Sequence, residues 1–196
     1  MLAQLHTVFG RMQSSLILKL RLNDSPVSAE LKAYMDELAA LTDKLVLVED
    51  EDKTDAPAVY VYRADGSFSG LAFHGVPGGH EFTSFVLGLY NAAGPGQAVD
   101  ETTRQQITAI TNATDMKILV TLSCTMCPDL VVSAQRIAAE NPNVTAHVYD
   151  IRHFENLKNQ YNVMSVPCLV INDEKVFFGK KNISQILDMI NGENKT

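Results

Sequence analysis

Cys124-Thr125-Met126-Cys127 is the stretch of this chain whose residue types and spacing are best suited to chemistry. Two thiols separated by two residues can close into a disulfide and reopen, which is two-electron redox chemistry. The pair follows an apolar, strand-like run, Ile118-Leu119-Val120-Thr121-Leu122, and leads into a helix-like segment from Pro128 to Glu140. A cysteine at a strand-to-helix turn lies by the unpaired N–H groups of the helix start. Those groups and the helix dipole favour a thiolate over a thiol, and the thiolate is the species that attacks a disulfide. Half of a zinc site would show the same four residues. A complete one would have to draw on Cys168 and on His147 or His153. It is disfavoured because zinc takes four ligands and the chain has neither a second CxxC nor a paired-histidine motif.

The elements around the pair must hold it at a turn. Pro128 falls in the first helical turn, where a missing N–H is harmless. Val166-Pro167 opens a second apolar strand, Cys168 to Ile171, about 40 residues past Cys127. That separation resembles the one in thioredoxin-like domains, where the equivalent proline is cis and its loop packs beside the dithiol. Cys168 follows it within a strand, so its side chain alternates away from the pair and reads as a buried, inert thiol.

The chain divides near its middle at Ala92-Ala93-Gly94-Pro95-Gly96, a helix stop and turn, with Asp100 as the N-cap of a new helix. Each side carries one order of elements. The first has a helix (2–12), a strand (16–22), an amphipathic helix (26–41), strands at 45–49, 58–63 and 68–73, and a helix at 80–91. The second has a helix (101–112), a strand (117–122), a helix (128–140), a strand (144–149), a short helix (155–160), strands at 168–171 and 176–178, and a helix at 184–191. Leu31, Met35, Leu38 and Leu41 recur at helical spacing and read as core. A shift of 99 residues puts Ser25 on Cys124 and Ser28 on Cys127; a shift of 110 puts Pro57 on Pro167. The repeated order, a helix, then βαβ, then ββα, leads to the expectation of an α/β protein of two tandem thioredoxin-like folds, each a mixed four-stranded sheet flanked by helices; serine forms no disulfide, so the first is expected to be chemically silent. Residues 1–97 would form a fold without redox cysteines and residues 98–196 the fold with the dithiol.

Composition narrows the setting. The 196 residues are 46% hydrophobic and 20% charged, enough to pack a core. A net charge of −7 argues against nucleic acid or an anionic membrane as partner. No apolar run approaches the ~18 residues that suggest a membrane span. The start, Met1 to Gly10, lacks a basic region and a small-residue cleavage site, so it does not read as a signal peptide. Three cysteines fit a reducing compartment better than a secreted disulfide scaffold, and a cytoplasmic setting is expected.

Three stretches carry a more specific resemblance: Gly79-His80-Glu81-Phe82-Thr83-Ser84-Phe85-Val86-Leu87, Leu122-Ser123-Cys124 through Cys127-Pro128-Asp129, and Asn162-Val163-Met164-Ser165-Val166-Pro167. Over nearly its whole length the chain resembles the N-terminal domain of the flavoprotein subunit of bacterial alkyl hydroperoxide reductase. The resemblance implies a thiol–disulfide oxidoreductase that takes electrons from a flavin and dithiol module and passes them to a two-cysteine peroxiredoxin. It implies Cys124 as the attacking sulfur and Cys127 as the resolving one, beside the Pro167 loop. It also places Glu81 across the interface between halves near the dithiol, as a proton acceptor or a tuner of the thiol; by itself Glu81 reads as a first-turn acid that favours the dipole, and His80 as a cap or surface residue. Within the CxxC the family usually has His-Asn where this chain has Thr125-Met126. The sequence contains no GxGxxG strand–turn–helix, so FAD and NAD(P)H are expected on a separate or missing reductase module. The competing readings are a general disulfide oxidoreductase or isomerase, and a non-catalytic docking platform. Asp150 and His153, after a strand, receive no task.

Overall fold

Fifteen helices and strands make up the computed structural model, which describes residues 2–192. In chain order they are α1 (Leu2–Arg11), β1 (Leu16–Arg21), α2 (Pro26–Ala39), β2 (Leu45–Asp50), β3 (Ala58–Arg63), β4 (Phe68–His74), α3 (Glu81–Ala93), α4 (Glu101–Thr108), β5 (Thr114–Val120), α5 (Cys127–Glu140), β6 (Val144–Asp150), α6 (Glu155–Gln160), β7 (Cys168–Ile171), β8 (Lys175–Phe178) and α7 (Ile183–Asn191). Met1 and residues 193–196 lie outside the described part.

Strand alternation sets the layers. Leu16, Leu18 and Leu20 of β1, Val59 and Val61 of β3, and Met116, Ile118 and Val120 of β5 enter the main core, which the helices α1, α2, α3, α5 and α7 cover. The other strand faces feed two smaller clusters: Leu119, Tyr149, Cys168 and Val170 beneath α6, and Ala58, Tyr60 and Ala72 with Tyr62 and Phe68.

Each half repeats one topology. The first has the order β2-β1-β3-β4 and the second β6-β5-β7-β8. Both proline turns of the repeat hold cis bonds, Ala56-Pro57 and Val166-Pro167. Pro57 O accepts from Gly75 N (2.8 Å) as Pro167 O accepts from Gly179 N (2.9 Å). The sequence does not announce that the two sheets are continuous: β4 pairs in parallel with β6, from Leu71↔Ala146 to His74↔Tyr149, giving one eight-stranded sheet. The seam is reinforced on one face by α3 against α5 and on the other by His74. The His74 ring stacks on Tyr149 at 3.9 Å, and its Nε2 lies 3.1 Å from His147 Nδ1.

The boundaries of α4 and β5 depart from the periodicity for reasons visible in the structure. The helix expected to reach Asn112 stops at Thr108, where the Asn141 side chain donates to the carbonyls of Ile107 and Ile110 (2.6 and 2.9 Å) and takes over the helix end. β5 starts at Thr114 rather than Lys117, because pairing with β6 from Thr114↔Val144 onward recruits polar residues. It ends at Val120, so Thr121 and Leu122 belong to the turn. The expected Asn172-Asp173 turn joins β7 and β8, with both residues at positive φ (53° and 60°), and Glu174 completes the loop, since Ile171 pairs with Lys175.

Candidate active site

Cys124 and Cys127 form a disulfide with Cα atoms 5.5 Å apart, at the turn from β5 into α5. Cys124 is partly exposed and Cys127 fully buried. The N-cap of α5 is Met126, whose side chain makes no capping bond, and Pro128 sits in the first turn. Cys124 Sγ supplies the missing acceptor: the N–H of Cys127 points at it from 3.1 Å. Once the pair is reduced, this bond and the positive end of the helix stabilise charge on that sulfur.

In the first half the same bond appears with oxygen for sulfur. Ser25 Oγ, at the N-cap of α2, accepts from Ser28 N at 3.3 Å. Ser25 is partly exposed and Ser28 buried, like the two cysteines. Asn23 Oδ1 accepts from both hydroxyls, so the polar pair is satisfied as an ordinary helix cap.

Pro167 is buried at the start of β7. Because β7 pairs antiparallel with β5 through Leu119↔Cys168, the Val166-Pro167 bond lies beside the strand end that delivers the dithiol. The loop before it carries Met164, 84% exposed, and the CxxC carries Met126, 51% exposed. Cys168 faces the cluster on the opposite side of the sheet from Cys124, and burial pushes its thiol up to about 11, which keeps it protonated and inert.

Glu81 begins α3 but is not the solvated first-turn acid that its position alone suggests: it is fully buried. Ser84, one turn on, donates its hydroxyl to Glu81 Oε2, while Oε1 has no partner among the described residues. Desolvation raises the carboxyl to about 7, opposed by the Ser84 bond. The loop ahead of it is fastened to the dithiol turn, since His80 N donates to Leu122 O (3.0 Å) and Gly79 lies against the same carbonyl. Gly79 has φ +55°, and a Cβ there would come within 2.5 Å of Leu122 O. His80 is exposed and stands at the N-cap position of α3, without a side-chain cap bond.

Thr83, Ser84 and Leu87 of α3 line a groove with Pro128, Asp129 and Val132 of α5, and Gly88 meets Gln135 further along. The two helices therefore run side by side in one direction, with Glu81 and Cys127 both at their N-terminal ends. Sequence reasoning did not reach Ser84 as the partner of Glu81; the three-residue spacing was the available signal. Nor did it find the His74–His147 contact, which depends on the seam. Among the described residues there is no group of three or more His, Cys, Asp or Glu side chains placed to hold a metal ion, and no helix long and apolar enough to cross a membrane.

A dithiol at a helix start, a cis-proline turn beside it and the βαβ–ββα topology define a thioredoxin-like dithiol protein built twice over, with one half lacking thiols. The family model described as a thioredoxin domain matches residues 114–191. The solved N-terminal domain of alkylhydroperoxide reductase AhpF from Enterococcus faecalis superposes with a TM-score of 0.91 at 32% identity, covering 96% of each chain. The chain belongs to this family of AhpF N-terminal domains. Longer relatives include the F subunit of alkyl hydroperoxide reductase from Pseudomonas aeruginosa, 33% identical over 86% of this chain, and a Bacillus subtilis protein named NADH dehydrogenase, 30% identical over 94%. The chain spans about a third of those two relatives, 32% and 36% of their lengths.

Proposed function

We propose that this chain is a dithiol–disulfide electron carrier that reduces a two-cysteine peroxiredoxin. The observation that carries the reading is the division of labour in the pair: Cys124 is reachable and bonded to the helix start, while Cys127 is buried behind it. The Cys124 thiolate attacks the partner's disulfide, one partner sulfur leaves as thiolate, and a mixed disulfide forms. Cys127 then attacks Cys124 Sγ, releasing the second partner sulfur. Two electrons pass to the partner and the Cys124–Cys127 bond is restored. The Cys127 proton needs an acceptor, and Glu81, a carboxyl held near neutrality at the adjacent helix end, fills that role. The Pro167 turn walls the dithiol on the β7 side.

On this reading, residues 98–196 carry the chemistry. Residues 1–97 are the silent fold that supplies Glu81. Electrons arrive from a flavoprotein reductase module bearing FAD and oxidising NAD(P)H, and the setting is cytoplasmic. The names of the relatives support the peroxide-reductase context, and the single dithiol disfavours a general disulfide oxidase or isomerase.

The test is reconstitution with a two-cysteine peroxiredoxin, a hydroperoxide and a dithiol donor. Peroxide consumption should require the chain and vanish in Cys124→Ser, whereas Cys127→Ser should accumulate a mixed disulfide with the partner, visible by mass under non-reducing conditions. Undiminished consumption with Cys124→Ser would leave only a docking platform.

A further inference from the structure

Asp150, at the carboxyl end of β6, is a fully buried carboxylate outside the redox pair and Glu81. The bonds that satisfy it come from the residue two places on. Arg152 Nε lies 3.0 and 3.1 Å from its two oxygens, Arg152 Nη2 2.6 Å from Oδ2, and the Arg152 backbone N–H donates to Oδ1 at 3.1 Å. His153 Nε2 stands farther off, at 3.8 Å. Gly75, at the end of β4 in the other half, closes over it, its Cβ position 3.2 Å from Asp150 Cβ. A buried carboxylate with one partner is costly to strand, so the arrangement holds one guanidinium in one orientation.

That guanidinium is not itself buried. The Arg152 side chain is 54% exposed, and its Nη1 has no partner among the described residues. It lines a cavity of about 290 Å³ with Thr121, Ile151, Glu155 and Lys158. The cavity sits at the carboxyl ends of the parallel strands β5 and β6, where open α/β sheets bind their ligands. Thr121 ties it to the redox centre, because its carbonyl accepts the backbone N–H of Cys124 at 3.0 Å, and Ile151 N donates to Val120 O at 3.0 Å. Arg152 and Lys158 bring two cations to the cavity lining and Glu155 one anion, with the Asp150 carboxylate buried behind Arg152.

We propose that Arg152, oriented by the buried Asp150, is a specificity-determining residue that receives a carboxylate of the disulfide-bearing partner and so sets that partner's disulfide against Cys124. Asp150 is the positioning residue. A planar fork fixed on one edge offers its other edge to a carboxylate, with Lys158 adding charge. The inference rests on the carrier reading for its partner, but its chemistry can be tested without one.

The probes are three small disulfides of like size: anionic dithiodipropionate, neutral hydroxyethyl disulfide and cationic cystamine. Pre-reduced protein is mixed with each, and loss of the reduced pair is followed by acid quench, alkylation and mass. Each reaction forms the Cys124–Cys127 bond and releases two small thiols. The overall negative charge alone would rank the anion last. With Arg152 in place, the anion should outpace the neutral probe at low salt. In Arg152→Met that ratio of rates should fall about five-fold, the size expected for one partly exposed charge pair. Because Arg152→Met strands Asp150, the double variant Asp150→Asn/Arg152→Met is measured beside it, with urea unfolding as the check on folding. In wild type, added salt should erase the anion preference. An anion-to-neutral ratio that is the same in wild type and both variants would overturn the assignment. If the ratio falls as expected while no peroxiredoxin is reduced, the arginine site stands and the carrier reading fails.

Discussion

Replacing Glu81 by glutamine should make the protein more stable, and by an amount that grows with pH. The wild-type carboxyl is fully buried, bonded on one oxygen by Ser84 and unpartnered on the other, and burial lifts it from its ordinary 4.5 to about 7. In the unfolded chain the group ionises near its ordinary value, whereas the folded chain keeps the proton until about neutrality. Between those two values the native state binds one more proton than the unfolded state, so unfolding free energy falls as pH rises. Each pH unit is worth about 1.4 kcal/mol, and the interval corresponds to roughly 3 kcal/mol in full. Its stabilising contribution is thus complete below about pH 4.5 and lost above about pH 7. Glutamine keeps an acceptor for Ser84 and cannot ionise. Urea unfolding of both proteins from pH 4.5 to 8.5 should therefore show a stability difference that moves in favour of Glu81→Gln by up to about 3 kcal/mol and then levels off. A constant offset from glutamine packing leaves that slope intact. A difference independent of pH would refute the burial argument, and with it the case for Glu81 as a proton acceptor at neutrality. The same variant should slow partner reduction most above pH 7, where the wild-type carboxylate is formed.

The histidine pair at the seam should act in the opposite direction. Burial holds His74 well below its ordinary range, with the His147 charge next, and burial also lowers His147. The unfolded chain takes up these protons near 6.5, so this stability is present above that pH and lost as pH falls through the folded values. His147→Gln should flatten the acid side of the stability profile, and an unchanged acid slope would contradict the account. Gly79→Ala tests the fastening of the Glu81 loop to the dithiol turn. A left-handed residue with its Cβ 2.5 Å from Leu122 O should cost at least about 1–2 kcal/mol, or several degrees in Tm, and a wild-type melting curve would show that the loop is free to move.

Much of this protein is local, and local features are legible. The CxxC, Pro128 in the first turn, the Asn172-Asp173 hairpin and the Asp100 cap each work through bonds that span a few residues. Alternation and helical spacing placed the elements, because a half-buried strand or helix shows its period. Even the half without cysteines could be read, since Ser25 and Ser28 keep the hydrogen bond that Cys124 and Cys127 make. Residues distant in the chain decided the rest. Parallel pairing of β4 with β6 merges two sheets into one, and neither strand's own sequence specifies that neighbour. That seam brings His74 to His147 and Gly75 over Asp150. The packing of α3 along α5 removes Glu81 from water and changes a first-turn acid into a carboxyl that titrates near neutrality. Burial and desolvation are properties of what surrounds a residue. The sequence therefore determined which groups could react, and only the tertiary structure decided how strongly they hold their protons and which of them are exposed.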